Sequence, residues 1–287
     1  MSVMEAAAMP SSPTDTVRAH GMEMPVIGFG TGWMGPDCLD VVSRALACGY
    51  RHIDTARKYG TERGVGEAIR AAGLARHEIF VTTKVSDESL RANDFARSVD
   101  ASLQHLGLDF VDLLLIHWPN RAIPLRETID ALAKAKRQGL ARHVGVANFT
   151  VALLDEAVAL CPEPLVTNQI EYHPYLDQSK VRAACQRHGL ILTAYCPLGR
   201  GRLPNDPVLA EIGRQKGKTA AQVALRWALQ QERIVPIPRS TNPQRTAENI
   251  DVFDFTLSAA EMARISGLTR PGSRIADPAG RAPDWDA

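Results

Sequence analysis

Apolar, strand-like runs recur along the chain at 26–30, 52–56, 79–84, 111–117, 143–148, 166–171, 191–195 and 234–238. Between and after them lie stretches of helical period at 39–48, 62–72, 94–106, 125–138, 151–160, 179–188, 220–230 and 243–251. Strands that alternate with helices predict a parallel sheet, because each parallel pair needs a crossover connection. Eight such units predict an α/β fold closed into a single (β/α)8 TIM barrel, which suits a 287-residue chain. Gly49, Gly73, Gly107, Gly139 and Gly189 follow helical runs, as residues that stop a helix do. Two further helical segments are predicted. One covers 207–216. The other, 258–268, opens with a capping box from Ser258 and Glu261. A hairpin over 17–24, turning at His20-Gly21, is expected to close the barrel's bottom, and residues 1–16 to form a disordered tail. No linker divides residues 17–287.

Composition narrows the function classes. A net charge of +1 gives no argument for a nucleic-acid, anionic-membrane or acidic partner, and none is expected. No apolar run approaches the ~18 residues that span a bilayer. The five cysteines are odd in number and lack a CxxC pair, which fits a reducing, cytoplasmic setting. The histidines show no metal-ligand spacing, so no metal is expected. A monomer acting on a small molecule is the expected form.

Three of the predicted strands end in ionisable residues. The first run of this kind ends near Asp54, with Tyr59 one short loop beyond; the next ends at Lys84, and the third at His117. Parallel strands share one face at their C-terminal ends, so these four groups can meet there. Each alone has a bland reading: a helix cap, a packed ring, a solvated strand end, a core histidine. Together they suit carbonyl reduction, which needs a hydride on carbon and a proton on oxygen. A free tyrosine, with pKa ~10, is a weak acid at neutral pH. Lys84 is expected to lower the pKa of Tyr59, Asp54 to hold Lys84 charged, and His117 to donate to or hold the substrate oxygen. After the last strand, Arg239, Ser240 and Arg245 suit a phosphate monoester at a helix start, which favours NADPH over NADH. Trp33, Trp118 and Phe149 fall on barrel-top loops and are expected to wall a substrate pocket, with Arg281 and Trp285 of the tail closing over it.

The motifs GYRHIDTA with Tyr59, the strand ending in Lys84, LLLIHWP, VGVANF, NQIEYHPY, AYCPLGRG and IPRSTNPQRTAEN occur in one order from about Met24 to the end of the chain. In this the chain resembles the aldo-keto reductases. The closing segment is similar to that of bacterial diketogluconate reductases within the family. The resemblance implies NADPH-dependent reduction of small aldehydes, dicarbonyls or keto-sugars, with Asp54, Tyr59, Lys84 and His117 as the catalytic four. It implies that Asn148 and Gln169 hold the nicotinamide amide, that Tyr195 stacks on the nicotinamide ring and that Glu248 and Asn249 contact the adenine. Gly30, Thr31, Leu198, Thr241 and Asn242 are the further cofactor contacts that it implies. The chain departs from the pattern at Arg239, where many relatives carry Lys, at Ala147, where Ser is usual, and at Thr61, where Asn is usual.

Other readings compete. Gly30, Gly32 and Gly35 form GxGxxG after a strand, with Asp54 about 20 residues on, as in a Rossmann dehydrogenase. Pro36-Asp37 after the third glycine looks like a helix start rather than its packed interior, and eight units exceed the six-stranded pattern. The P-loop-like stretch 213–219 has three residues between its glycines instead of four and lies between helices. A non-catalytic family member that binds NADPH as a sensor is the remaining alternative.

Overall fold

The computed structural model describes residues 9–35 and 38–286. Strands β1 (Thr16–Ala19) and β2 (Met22–Pro25) pair antiparallel, with His20 at φ 46° and Gly21 at φ 83° in the two-residue turn. Then follow β3 (Phe29–Gly30), α1 (Leu39–Ala47), β4 (His52–Asp54), α2 (Glu62–Ala71), β5 (Phe80–Val85), α3 (Ala92–Leu106) and β6 (Val111–Ile116). The second half runs α4 (Leu125–Arg137), β7 (Ala141–Ala147), α5 (Val151–Leu160), β8 (Leu165–Glu171), α6 (Ser179–Arg187), β9 (Ile191–Tyr195), α7 (Pro207–Lys216), α8 (Ala220–Leu229), β10 (Ile234–Pro236), α9 (Pro243–Ile250) and α10 (Ala259–Ser266).

Strands β3 to β10 form one parallel sheet in unbroken sequence order. The sheet curls until its first and last strands meet: Gly28 N donates to Pro236 O and Gly30 N to Pro238 O, each at 3.0 Å. The seam leaves little room for a side chain at either glycine, least at Gly28. A Cβ on Gly28 would stand 2.5 Å from His52 Nδ1, and one on Gly30 would stand 3.1 Å from Ile237 O. The result is the (β/α)8 barrel expected, and strand order never reverses as a doubly wound Rossmann sheet requires. Pro36 and Asp37, used above to argue against that sheet, lie outside the described residues.

The two strands at the seam are each shorter than their apolar runs. Val26 N turns to Asp15 O on the hairpin side, so the first strand is regular only from Phe29. The last ends at Pro236, with Pro238 beyond it; prolines bring no N–H to a ladder. The capping box before α10 forms as expected: Ser258 N donates to Glu261 Oε2 at 2.7 Å, and Glu261 N to Ser258 Oγ at 3.3 Å.

Inside the barrel, at the end where the strands begin, Met22 and Met24 of the hairpin pack with Phe80, Leu113, Val166, Ile191 and Val235. The hairpin therefore plugs the bottom. The expectation of a disordered tail over 1–16 needs correction in its described part. Buried Arg226 donates to Pro10 O at 2.9 Å, and Asp15 Oδ2 accepts from Ser11 N at 2.7 Å and Ser12 N at 3.1 Å, which ties residues 10–15 to the barrel. Residues 1–8 lie outside the described residues.

Candidate active site

Asp54 is the last residue of β4, Lys84 sits one residue before the end of β5, and His117 directly follows β6, its N–H donating to Val85 O at 3.0 Å. Tyr59 closes a single 3-10 turn, Arg57–Tyr59, that ends on Gly60 at φ 69°. The barrel brings all four together. Lys84 Nζ, with no exposed surface, donates to Asp54 Oδ1 at 2.6 Å and to Thr55 O at 2.8 Å. The same ammonium lies 5.1 Å from the centroid of the Tyr59 ring. Tyr59 OH and His117 Nε2 are 3.4 Å apart, with the rings edge-on. Gln169 Nε2 donates to the second Asp54 oxygen at 2.7 Å, so both carboxylate oxygens are engaged.

The electrostatics follow from this packing. Burial opposes the Lys84 charge, but Asp54 and then Tyr59 more than offset it, and its pKa lies above the ordinary lysine value. Burial pushes the Tyr59 hydroxyl upward; Lys84 pulls it down but does not win, and Asp54 adds to the rise. The expectation that Lys84 leaves Tyr59 with a lowered pKa is therefore half met: the pull is present, and desolvation outweighs it. His117 is held neutral, well below the usual histidine range, first by burial and then by the charges of Lys84, Lys58 and Arg281. Its Nδ1 has no hydrogen-bond partner among the described residues.

The residues expected at the cofactor fall into two groups. Asn148, at φ 63°, donates to His117 O at 2.9 Å and accepts from Tyr195 OH at 2.7 Å, so with Gln169 it borders the catalytic cluster. Ser240, Thr241, Asn242, Arg245, Glu248 and Asn249 gather at the turn after β10 and on α9, where the Asn242 side chain caps Arg245 N at 3.2 Å. Arg239 is exposed and donates to Trp33 O at 2.9 Å; among the described residues neither Arg239 nor Arg245 pairs with a carboxylate. Leu198 packs in part against the core, and Gly30 lies in the seam. Thr31 is fully buried and its hydroxyl bonds Asp54 O and Thr61 Oγ1, both at 3.1 Å. Thr61 also meets Thr55 at 2.8 Å, so the hydroxyl standing where Asn is usual helps hold the strand ends that carry Asp54.

The expected substrate walls separate. Trp118 is buried and meets Trp285 of the tail edge-on at 6.0 Å, and Arg281 reaches Asp87 at 3.4 Å. Trp33, by contrast, is 80% exposed at φ 61°, its indole turned to solvent. Phe149 is 1% exposed and belongs to the core, where it lines the small cavity between α4 and α5. Glu171 was missed. Ending β8 fully buried, it accepts from Ile275 N and Ala276 N at 2.8 and 2.6 Å and contacts His173 Nε2 at 2.9 Å, pinning the tail that brings Trp285 to Trp118. The signal was available, since Glu171 is another ionisable residue at a strand end.

Residues 26–270 match the sequence profile of the Aldo/keto reductase family. A glyoxal reductase of Bacillus subtilis is 40% identical over 265 residues, covering 91% of this chain and 95% of its own. A crystal structure with a provisional assignment as 2,5-diketo-D-gluconic acid reductase B is 46% identical, covers 96% of this chain and 98% of its own, and superposes with a TM-score of 0.94. An aldo-keto reductase of Bombyx mori in complex with NADP is 34% identical, with a TM-score of 0.83 over 91% of this chain and 94% of its own. Similarity therefore runs through the barrel and past every strand end that supplies the cluster, and the chain belongs to the aldo-keto reductase family, oxidoreductases that act on carbonyl groups.

Proposed function

We propose that the chain reduces small aldehydes, dicarbonyls or keto-sugars with NADPH, and that Tyr59 is the proton donor. The observation that carries this reading is Lys84, wholly buried between Asp54 and the Tyr59 ring, with His117 Nε2 3.4 Å from the Tyr59 hydroxyl. The cofactor fits the residues present. Arg239 and Arg245, free of carboxylate partners among the described residues, stand at the start of α9, where a helix N-terminus and two guanidinium groups favour a phosphate monoester. Tyr195, only partly buried beside Asn148 and the catalytic cluster, offers its ring to the nicotinamide. Asn148 and Gln169 would hold the carboxamide, and Glu248 and Asn249 the adenine. Bound NADPH supplies the hydride.

The chain's own groups supply the rest. Tyr59 OH and His117 Nε2 converge on one point and together hold the substrate carbonyl oxygen. Because His117 is neutral, it orients that oxygen by hydrogen bonding without adding a charge. Tyr59 passes its phenolic proton to the oxygen as charge develops there. Lys84 stabilises the tyrosinate left behind, and Asp54 keeps Lys84 charged and aimed. The names of the similar proteins favour dicarbonyl and keto-sugar substrates. The test is NADPH absorbance followed with methylglyoxal, 4-nitrobenzaldehyde and a panel of keto-sugars. Consumption with any of them supports the reading. Tight NADPH binding without turnover of any would favour the sensor instead.

A further inference from the structure

Glu62 opens α2, a few residues after Tyr59, and its side chain is 1% exposed. A carboxylate so far from water is costly to keep, so its partners define its use. Its Oε1 accepts from the Thr83 hydroxyl at 2.7 Å. Its Oε2 faces Arg57 Nη1 at 3.5 Å and has no hydrogen-bond partner among the described residues, so charge attraction holds the guanidinium there. His105 of α3 lies 3.9 Å from the same oxygen, but its Nδ1 meets Arg57 Nη1 at 2.6 Å. A guanidinium has no acceptor, so that nitrogen accepts from Arg57 and cannot also donate to Glu62.

Both partners adjoin the catalytic cluster without belonging to it. Thr83 directly precedes Lys84 on β5. Side chains alternate across a strand, so Thr83 faces the helices while Lys84 faces the barrel interior. Arg57 is the first residue of the single turn that Tyr59 closes. Glu62 thus grips, from outside the barrel wall, the strand that carries Lys84 and the turn that carries Tyr59. The residue before it braces the inner side: Thr61 Oγ1 bonds Thr55 Oγ1 at 2.8 Å, and Thr55 O accepts from Lys84 Nζ at 2.8 Å. What these ties fix is the approach of the Lys84 ammonium to the Tyr59 ring, 5.1 Å from its centroid.

We propose that Glu62 is a positioning residue for the proton transfer: its carboxylate, held between Thr83 and Arg57, sets the placement of the Tyr59 hydroxyl against the Lys84 ammonium. This rests on the reading of Tyr59 as the proton donor and Lys84 as the group that stabilises the tyrosinate.

The test measures kcat and KM for methylglyoxal with NADPH in wild type, Glu62→Gln, Thr83→Val and Tyr59→Phe, and in each of the first two variants combined with Tyr59→Phe. Glu62→Gln keeps an oxygen for the Thr83 hydroxyl and gives up the charge that holds Arg57. Thr83→Val gives up the other tie at nearly constant volume. Each should lower kcat about 10-fold with KM and NADPH affinity near wild type, since a displacement of ~1 Å at reacting groups can cost ~10²-fold. In the Tyr59→Phe background neither should cost much more, because the group being placed has lost its proton. A fold defect alone would lower the rate in both backgrounds. Thermal unfolding and NADPH fluorescence titration on the same samples report the fold and the cofactor site. Wild-type kcat in a folded Glu62→Gln would overturn the inference, as would fully additive losses in the combined variants. If Glu62→Gln does not fold, Thr83→Val and its combination are read in the same way. A Tyr59→Phe enzyme at the wild-type rate would overturn the reading of Tyr59, and a wild type that turns over no carbonyl in the panel would overturn the reading of function; either takes this inference with it.

Discussion

At the end of the barrel where the strands begin, the interior holds Met22 and Met24 against Phe80, Leu113, Val166, Ile191 and Val235. Where the same strands finish, they present Asp54, Lys84, His117, Gln169 and Glu171, all buried. The lower end is held mainly by removal of apolar surface from water, and the one imidazole that opens β4 there, His52 against Phe80, is kept uncharged by its burial. The upper end is costly. Removing a lysine and an aspartate from water carries a penalty of several kcal/mol per ion before pairing offsets it, and a buried pair is weak support for stability. That difference is what a catalytic end looks like: charge is kept dry where chemistry needs it and excluded where packing suffices.

Removing one partner of the buried pair should separate the two ends most sharply. Lys84→Met strands the Asp54 carboxylate, with an expected loss of ~3–5 kcal/mol in stability and at least ~10²-fold in kcat. Asp54→Asn should give a smaller defect of the same kind, because the ammonium remains. A rise in KM with kcat unchanged in both would remove the tuning role. At the other end, Met22→Ala should cost ~2–5 kcal/mol by denaturant unfolding yet leave kcat per folded molecule nearly unchanged. A matching loss of kcat in Met22→Ala would mean the two ends are not independent.

The cofactor arm is the next contrast. Arg239→Ala and Arg245→Ala should each weaken NADPH binding by roughly 10- to 150-fold, the equivalent of ~1.5–3 kcal/mol for a charged contact, and leave NADH binding nearly unchanged. Equal losses for both cofactors by fluorescence titration would show that neither arginine reads the 2′-phosphate. Because Arg239 stands where Lys is usual, some NADH activity is expected in wild type.

Two smaller effects sharpen the picture of the upper end. Glu171→Gln should speed amide exchange at Ile275 and Ala276 and raise KM more than it lowers kcat, since it frees the tail that carries Trp285. Although burial opposes the Glu171 charge, His173 and the two amides hold its carboxyl below the usual range. Its anchoring is therefore present above the ordinary carboxyl pKa and weakens as pH falls through the lower, folded value. The reduction rate should also stay level through pH 6–8. His117 is already neutral there, and Tyr59, with its pKa raised, keeps its proton until pH is alkaline. An inflection near pH 6.5 would show His117 titrating instead.

The rhythm of strands and helices was legible because buried parallel strands read as apolar runs and helices stop on glycine. Asp54, Lys84 and His117 were legible because they end three successive apolar strands of one parallel sheet, a convergence that no one of them shows alone. Glu171 met the same test but escaped, since its partners are the backbone amides of residues 275 and 276, which carry no residue-type signature. The exposure of Trp33 and the burial of Phe149 were not legible, because a residue pattern reports the loop but neither the positive φ of the one nor the packing of the other. The balance at Tyr59 was out of reach too, because a residue pattern reports the cation nearby but not the burial that opposes it.

The account stands most directly on Tyr59→Phe. NADPH oxidation with methylglyoxal and NADPH fluorescence titration on the same preparation measure the two halves of the claim. The change removes one hydroxyl at the catalytic cluster and leaves the ring against Lys84, so binding and folding should persist while turnover falls at least ~10²-fold. A Tyr59→Phe enzyme that binds NADPH and turns over near the wild-type rate would contradict it and move the proton donor elsewhere, to His117 first.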